Sequence, residues 1–288
     1  MALDPLLLSP GQRYVPGILG GLGPLAHVEF ERRILARSHL RGARSDREHP
    51  VWLLANAAST PERTRALLEG GESPLRHLTA FAQLLERAGA DALFVPCNTA
   101  HAYHAEVQRV LRIPWVHLME IVADTIRAAH PAGTGVGLVA TDGTLAMGLY
   151  HRALEARGLV AVAPAIDSPV QALVRSALSH PETGIKATGD AVSRTAREHL
   201  VAAAGWCVEH GARVVVPACT EVSVGLTAEV FDAVPLVDPL TVAAEVALDI
   251  AYGSREPGVV SREPEAGSRK PGAGSPQPLG GAAPSADG

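Results

Sequence analysis

Twice in this chain an apolar run meets a proline, and a cysteine with a neighbouring threonine follows. The first is Ala92-Leu-Phe-Val-Pro96-Cys97-Asn98-Thr99. The second is Ala212-Arg-Val-Val-Val-Pro217-Ala218-Cys219-Thr220-Glu221. Strands of a parallel sheet are covered on both faces, so they read as continuous apolar runs like these. Proline cannot donate a ladder hydrogen bond, and each strand is therefore expected to stop there. Each cysteine then falls where a strand hands over to a helix, at the sheet edge where α/β folds bind ligands. One plan used twice predicts two similar halves and a single site built from both.

The remaining elements alternate in the same sense. Val15-Pro-Gly-Ile-Leu enters Gly20-Gly21-Leu22-Gly23-Pro24, a turn whose glycines permit close backbone approach and whose proline suits a first helical turn. Free amides there can hold a carboxylate at the start of a helix through Glu29, Phe30 and Ile34, or simply form a strand-helix turn. The loop is not GxGxxG, so it carries little support for a dinucleotide. Val51 to Ala55 reads as a second strand ending at Asn56. Leu75, Leu78, Phe81, Leu84 and Leu85 mark one core-facing stripe of a helix over residues 73–88, closed by Gly89. A short strand or crossover is expected at residues 113–117 and further strands at 136–140 and 236–239, with a polar loop at Thr141-Asp-Gly-Thr144. Helices are expected near 121–129, 148–157, 169–179, 190–210 and 240–252. Strands alternating with helices predict an α/β protein of two similar domains with parallel sheets, related by a pseudo-two-fold axis, with the active site between them.

The expected partition is a loose lead-in over residues 1–14 and a first domain over 15–117 plus 236–252. A second domain covers 118–235, and a disordered tail covers 253–288, which is rich in glycine and proline and has no aromatic residue beyond Gly253. A net charge of −5, spread along the chain, offers no basic block for nucleic acid. No apolar run approaches a membrane span, and the first ten residues lack a signal-peptide pattern. Three cysteines form no disulfide framework, which predicts reduced thiols and a cytoplasmic protein.

Two thiols facing each other across a cleft can move a proton across one carbon. The thiolate of one removes it from one face while the thiol of the other returns a proton to the opposite face, inverting the centre. A thiol with a reference pKa of about 8.5 is lowered toward the working range at a helix N-terminus. A single thiol suits covalent catalysis with a neighbouring base. The plainer reading of a free cysteine is a small buried hydrophobe, and Cys207, beside Trp206 in a helix, is assigned to it. Cys97, His101 and His104 have helical ligand spacing, but no CxxC accompanies them and no metal is expected. His101 either orients the loop or faces solvent. Arg63 can clamp a carboxylate or be a solvated loop arginine, and Lys186 can pair with an anion or face water.

Four segments, Gly20-Gly-Leu-Gly-Pro24, Pro96-Cys-Asn-Thr-Ala-His101, Ala140-Thr-Asp-Gly-Thr144 and Cys219-Thr-Glu221, together resemble the aspartate/glutamate racemase superfamily, closest to its aspartate racemase branch. The resemblance covers residues 15–252. It implies racemisation without a cofactor, a homodimer and an amino-acid substrate. Cys97 and Cys219 match the family's acid/base pair. Asn98, Thr99 and Thr220 match residues that hold the α-carboxylate and amine region, and Thr141 and Thr144 match pocket residues. Gly23, Asn56 and Glu221 complete the implied substrate-binding set. Arg63 resembles the arginine that binds the side-chain carboxylate and Lys186 its second contact, which together imply aspartate. Ala218 and Glu62 depart from the usual glycine and aspartate. Rival readings within the superfamily are a glutamate or hydantoin racemase, a maleate isomerase or a decarboxylase. A dicarboxylate-binding protein without catalysis is the rival outside it.

Overall fold

The computed structural model describes residues 3–228 and 230–259. Two three-stranded parallel sheets form its centre. In the first, β1 (Pro16–Gly20) lies between β2 (Leu53–Asn56) and β3 (Ala92–Phe94). In the second, β4 (Gly135–Ala140) lies between β5 (Val160–Val162) and β6 (Ala212–Ala218). The topology is the same in both: the first strand in sequence takes the middle and the next two take its flanks. Ile18 pairs in register with Leu54 and Phe94, and Leu138 with Val216.

Successive residues of these strands point to opposite faces, and each face is covered. Ile18, Phe94, Leu138 and Val216 belong to one apolar core shared by both sheets. The helices Leu118–Ala129 and Pro239–Ala251 fill it with Met119, Val122, Leu240 and Leu248. Their neighbours Leu19 and Leu93 turn outward under the helix Leu75–Ala88, and Val139 and Val215 turn outward under the helices Pro169–Ser179 and Arg194–Glu209. A core common to both sheets holds the two halves together, with their cysteine-bearing strand ends at one cleft.

Five local expectations need correction. The second cysteine strand does not stop at its proline: β6 runs through Pro217, paired with Val139, to Ala218, paired with Ala140. Thr141 to Thr144 is not a loop: Thr141 caps a short helix, Asp142–Ala146, by accepting from the Thr144 amide at 3.3 Å. Leu84 faces solvent, and the stripe that is buried is Leu78, Ala82 and Leu85. Residues 113–117 and 236–239 form no full strands and contribute single parallel bridges, Leu93 with Trp115 and Val215 with Leu236. Proline at 114, 235 and 239 removes the donors that longer ladders need. Nor is all of the lead-in loose. The Gln12 side chain donates to the Val51 carbonyl at 2.7 Å and accepts from the Val51 amide at 2.8 Å, while the Arg13 amide donates to the Ala251 carbonyl at 2.7 Å.

Residues 260–288, most of the expected disordered tail, lie outside the described residues. Within 253–259, Pro257–Val259 forms a 3-10 turn, and the Tyr14 hydroxyl donates to Glu256 at 2.8 Å. Among the described residues no helix is long and apolar enough to cross a membrane.

Candidate active site

A cavity of about 440 Å³ opens at the carboxyl ends of both sheets. Cys97 and Asn98, just past β3, line one side, and Cys219 and Thr220, just past β6, line the other. Gly23, Arg63, Thr99, Thr141, Lys186 and Glu221 also line it. Two predicted residues stand outside it. Asn56 is exposed at the end of β2, against Gly21, and Thr144 is buried behind the wall.

Each polar group is held by a local cause. The Cys219 Sγ donates to Glu221 Oε2 at 3.0 Å, and the Thr220 hydroxyl donates to the same oxygen at 3.1 Å. The other Glu221 oxygen reaches the glycine loop: a Cβ on Gly23 would come within 2.7 Å of it, and the φ of +77° there disfavours any side chain as well. Burial first, and then the Glu221 carboxylate, push the Cys219 thiol well above its ordinary pKa, while Lys186 pulls weakly the other way. This reverses the expectation of a thiol lowered by a helix N-terminus. The desolvation of a buried sulfur beside a carboxylate outweighs the six-residue helix that follows it.

Arg63 begins the short helix Arg63–Leu68, which Glu62 caps by accepting from the Arg65 amide. Its guanidinium donates to the Leu22 carbonyl at 2.7 Å and to the Pro61 carbonyl at 3.2 Å. Burial works against its charge, but Cys97, Glu62 and Glu221 nearby more than offset that, and its pKa is raised. It is a fixed cation beside the Cys97 sulfur. Across the cleft, the hydroxyls of Thr99, Thr141 and Thr144 form a triangle with 3.0 Å sides, tying the turn after β3 to the helix after β4. Thr144 therefore acts on the cavity through its two neighbours.

Beneath Cys97 lies a cluster of the buried His101, His104 and Trp115 with the half-buried His117. The His104 and His117 rings have centroids 4.7 Å apart, and the His101 ring lies 5.2 Å from Trp115. The Trp115 indole donates to His101 Nε2 at 3.2 Å, so the proton of neutral His101 sits on Nδ1 and is donated to the Cys97 carbonyl at 2.9 Å. His101 thus orients the cysteine turn. His104 Nε2 is held by the Trp115 carbonyl at 2.9 Å, so the spacing that matched a metal site serves the loop.

Burial, with His104 close by, lowers His101 to about 4, and burial together with the two other histidines, Arg152 and Arg157, lowers His117 to about 2. Both are neutral when folded and take up protons near pH 6.5 when unfolded. Below pH 6.5 the unfolded chain binds more protons, so stability present above that value is lost as pH falls. Each histidine contributes up to about 1.4 kcal/mol per pH unit once well inside this window. Urea midpoints at pH 7.5, 6.0 and 5.0 should fall steadily, before the carboxylates titrate. A flat midpoint across that range would contradict the burial of neutral rings.

Cys207 is fully buried in its helix, its thiol raised to about 11 by burial, and it lies in the core as its apolar surroundings predict. Reading the sequence missed Tyr150, whose hydroxyl donates to Asn98 Oδ1 at 2.7 Å. It lies 52 residues from Asn98, in the helix Leu149–Glu155, and no spacing signals the contact. Glu62 and Thr64, on either side of Arg63, also line the cavity, and no sequence signal assigns either a role there.

Comparison with known proteins agrees with this arrangement. Residues 19–247 match the family model described as Asp/Glu/Hydantoin racemase. The broad specificity amino-acid racemase RacX of Bacillus subtilis (strain 168) is 30% identical over 153 residues, which cover 49% of this chain and 61% of that relative's length. The solved aspartate racemase of Picrophilus torridus superposes with a TM-score of 0.71 at 25% identity, over 83% of this chain and 94% of that one. An aspartate racemase homologue from Pyrococcus horikoshii OT3 shares the fold, with a TM-score of 0.65 at 23% identity, over 83% and 99% of the two chains. The match extends from β1 into the last long helix and takes in both cysteine strands and the cavity between them, and by it this chain belongs to the Asp/Glu/Hydantoin racemase family.

Proposed function

We propose that this protein racemises an amino acid without a cofactor, interconverting L- and D-aspartate by proton transfer between Cys97 and Cys219. The observation that carries the reading is the placement of both thiols on one cavity, each from a different sheet. In the arrangement described, Cys219 is the proton-bearing partner, since burial and Glu221 hold its proton on sulfur. Cys97, beside the Arg63 cation, then acts as the base. The α-proton passes to the Cys97 sulfur, and the Cys219 proton passes to the other face of the same carbon. The thiolate has moved from one cysteine to the other, so the reverse reaction starts from the opposite state.

The α-proton of an amino acid is a very weak acid, and the transition state carries added negative charge toward the carboxylate. Preorganised donors aimed at that charge supply the stabilisation. We assign the turn amides around Cys97 and Cys219 to that charge, while Asn98, Thr99 and Thr220 hold the α-carboxylate and amine region in substrate and transition state alike. Arg63 and Lys186, both on the cavity wall, support a second carboxylate on the substrate and hence aspartate. We extend the proposal to a homodimer in a reducing cytoplasm, where the three free cysteines stay reduced.

Proton NMR of the purified protein with L-aspartate in deuterium oxide tests the reaction, under reducing conditions and without pyridoxal phosphate. The α-proton signal should vanish while D-aspartate accumulates. Exchange with another amino acid but not with aspartate would move the substrate and keep the chemistry. No exchange with any amino acid would overturn the proposal.

A further inference from the structure

A carboxamide has an acceptor end and a donor end of nearly equal shape, so what it offers a ligand depends on what fixes its orientation. Asn98 is 3% exposed, and its Oδ1 accepts from the Tyr150 hydroxyl at 2.7 Å. Its Nδ2 is buried, with no hydrogen-bond partner among the described residues. Such an orphaned donor is costly unless something else satisfies it, and Asn98 stands on the wall of the reaction cavity.

Tyr150 itself has little choice of acceptor. It is 1% exposed, and the nearby carboxylate of Asp238 is already fully engaged. Asp238 Oδ1 accepts from the Ser223 hydroxyl at 2.9 Å and the Leu240 amide at 3.1 Å. Its Oδ2 accepts from Arg33 at 2.6 Å and from the Thr241 hydroxyl at 3.0 Å. Burial, with Asp238 and Cys219 adding to it, raises the phenol well above its ordinary value, so it keeps its proton at any working pH. That proton goes to Asn98.

We infer that Tyr150 is a positioning residue, whose hydroxyl locks the Asn98 carboxamide so that Nδ2 is the end presented to the substrate's α-carboxylate. The inference rests on the proposed contact between Asn98 and that carboxylate. Without the lock, Asn98 can turn and present its carbonyl oxygen, which repels the carboxylate. The effect falls on binding, since the α-carboxylate is present in substrate and transition state alike.

Steady-state racemisation of aspartate, or of the amino acid exchanged fastest, by Tyr150→Phe, Asn98→Ala and their double variant tests this. Tyr150→Phe should raise KM about tenfold, the size expected for one neutral hydrogen bond, with kcat within about threefold of wild type. On the Asn98→Ala background the same change should have no further effect on KM. Wild-type KM in Tyr150→Phe alongside a damaged Asn98→Ala would overturn the inference and leave the Asn98 contact standing. Equal losses on both backgrounds would also overturn it, because the tyrosine would then act elsewhere. Unchanged KM in Asn98→Ala would remove the contact itself. Should Tyr150→Phe not fold, Asn98→Asp keeps an acceptor for the phenol and removes the donor. Its KM should rise at least tenfold, and a wild-type KM there would overturn the inference.

Discussion

Cys97→Ser and Cys219→Ser should each lower the racemisation rate at least about a thousandfold, within the range that general acid-base groups contribute. A hydroxyl has the size to replace the thiol but is far too weak an acid to supply or hold the proton at neutral pH. The two losses should differ in a way that total rate does not reveal. With one sulfur left, the enantiomer whose α-proton faces it can still exchange with solvent, but no proton arrives from the other side to invert the centre. In deuterium oxide the two variants should therefore label opposite enantiomers, each without racemisation. A chiral assay beside the exchange measurement reads both. Near-wild-type racemisation by either variant would sink the two-base assignment, and loss of all exchange with the same enantiomer in both would make one cysteine the sole base. The asymmetry of the site sharpens this test: the Cys219 thiol keeps its proton and donates a hydrogen bond to the Glu221 carboxylate, whereas Cys97 stands beside the Arg63 cation.

The strands were legible because a parallel strand covered on both faces has no freedom to be polar, although only the first ends before its proline, at Phe94, while β6 runs through Pro217 to Ala218. Residues close in sequence to those ends, such as Cys97, Asn98, Cys219 and Thr220, therefore line the cavity. Positions further along needed information that no local pattern holds. Thr141 to Thr144 looked like a polar loop because Thr and Gly form helices poorly, yet capping of Thr144 by Thr141 and a packed Leu145 carry the turn. Leu84 sits on an amphipathic stripe by spacing alone, but its place in the packing left it exposed while Ala82 went inside. Tyr150 and the pair of Trp115 with His101 act through contacts between distant segments, which only the folded chain brings together.

Arg63→Ala should reduce kcat/KM for aspartate by roughly a hundredfold, the scale expected when one partner of a buried, charge-assisted pair is removed. Alanine, with no side-chain carboxylate, should lose about tenfold or less. The guanidinium has two distinct duties that the comparison separates. Its bonds to the Leu22 and Pro61 carbonyls hold the glycine loop against the loop after β2, and any amino acid benefits from that order. Its charge, kept in a buried place by Cys97, Glu62 and Glu221, serves only a substrate that brings a second anion. Arg63→Lys keeps the charge but loses the planar fork, and it should recover part of the aspartate rate without restoring the loop contacts. Equal losses for aspartate and alanine would leave Arg63 as a loop fastener, and substrate choice would then rest on Lys186 and the rest of the cavity wall.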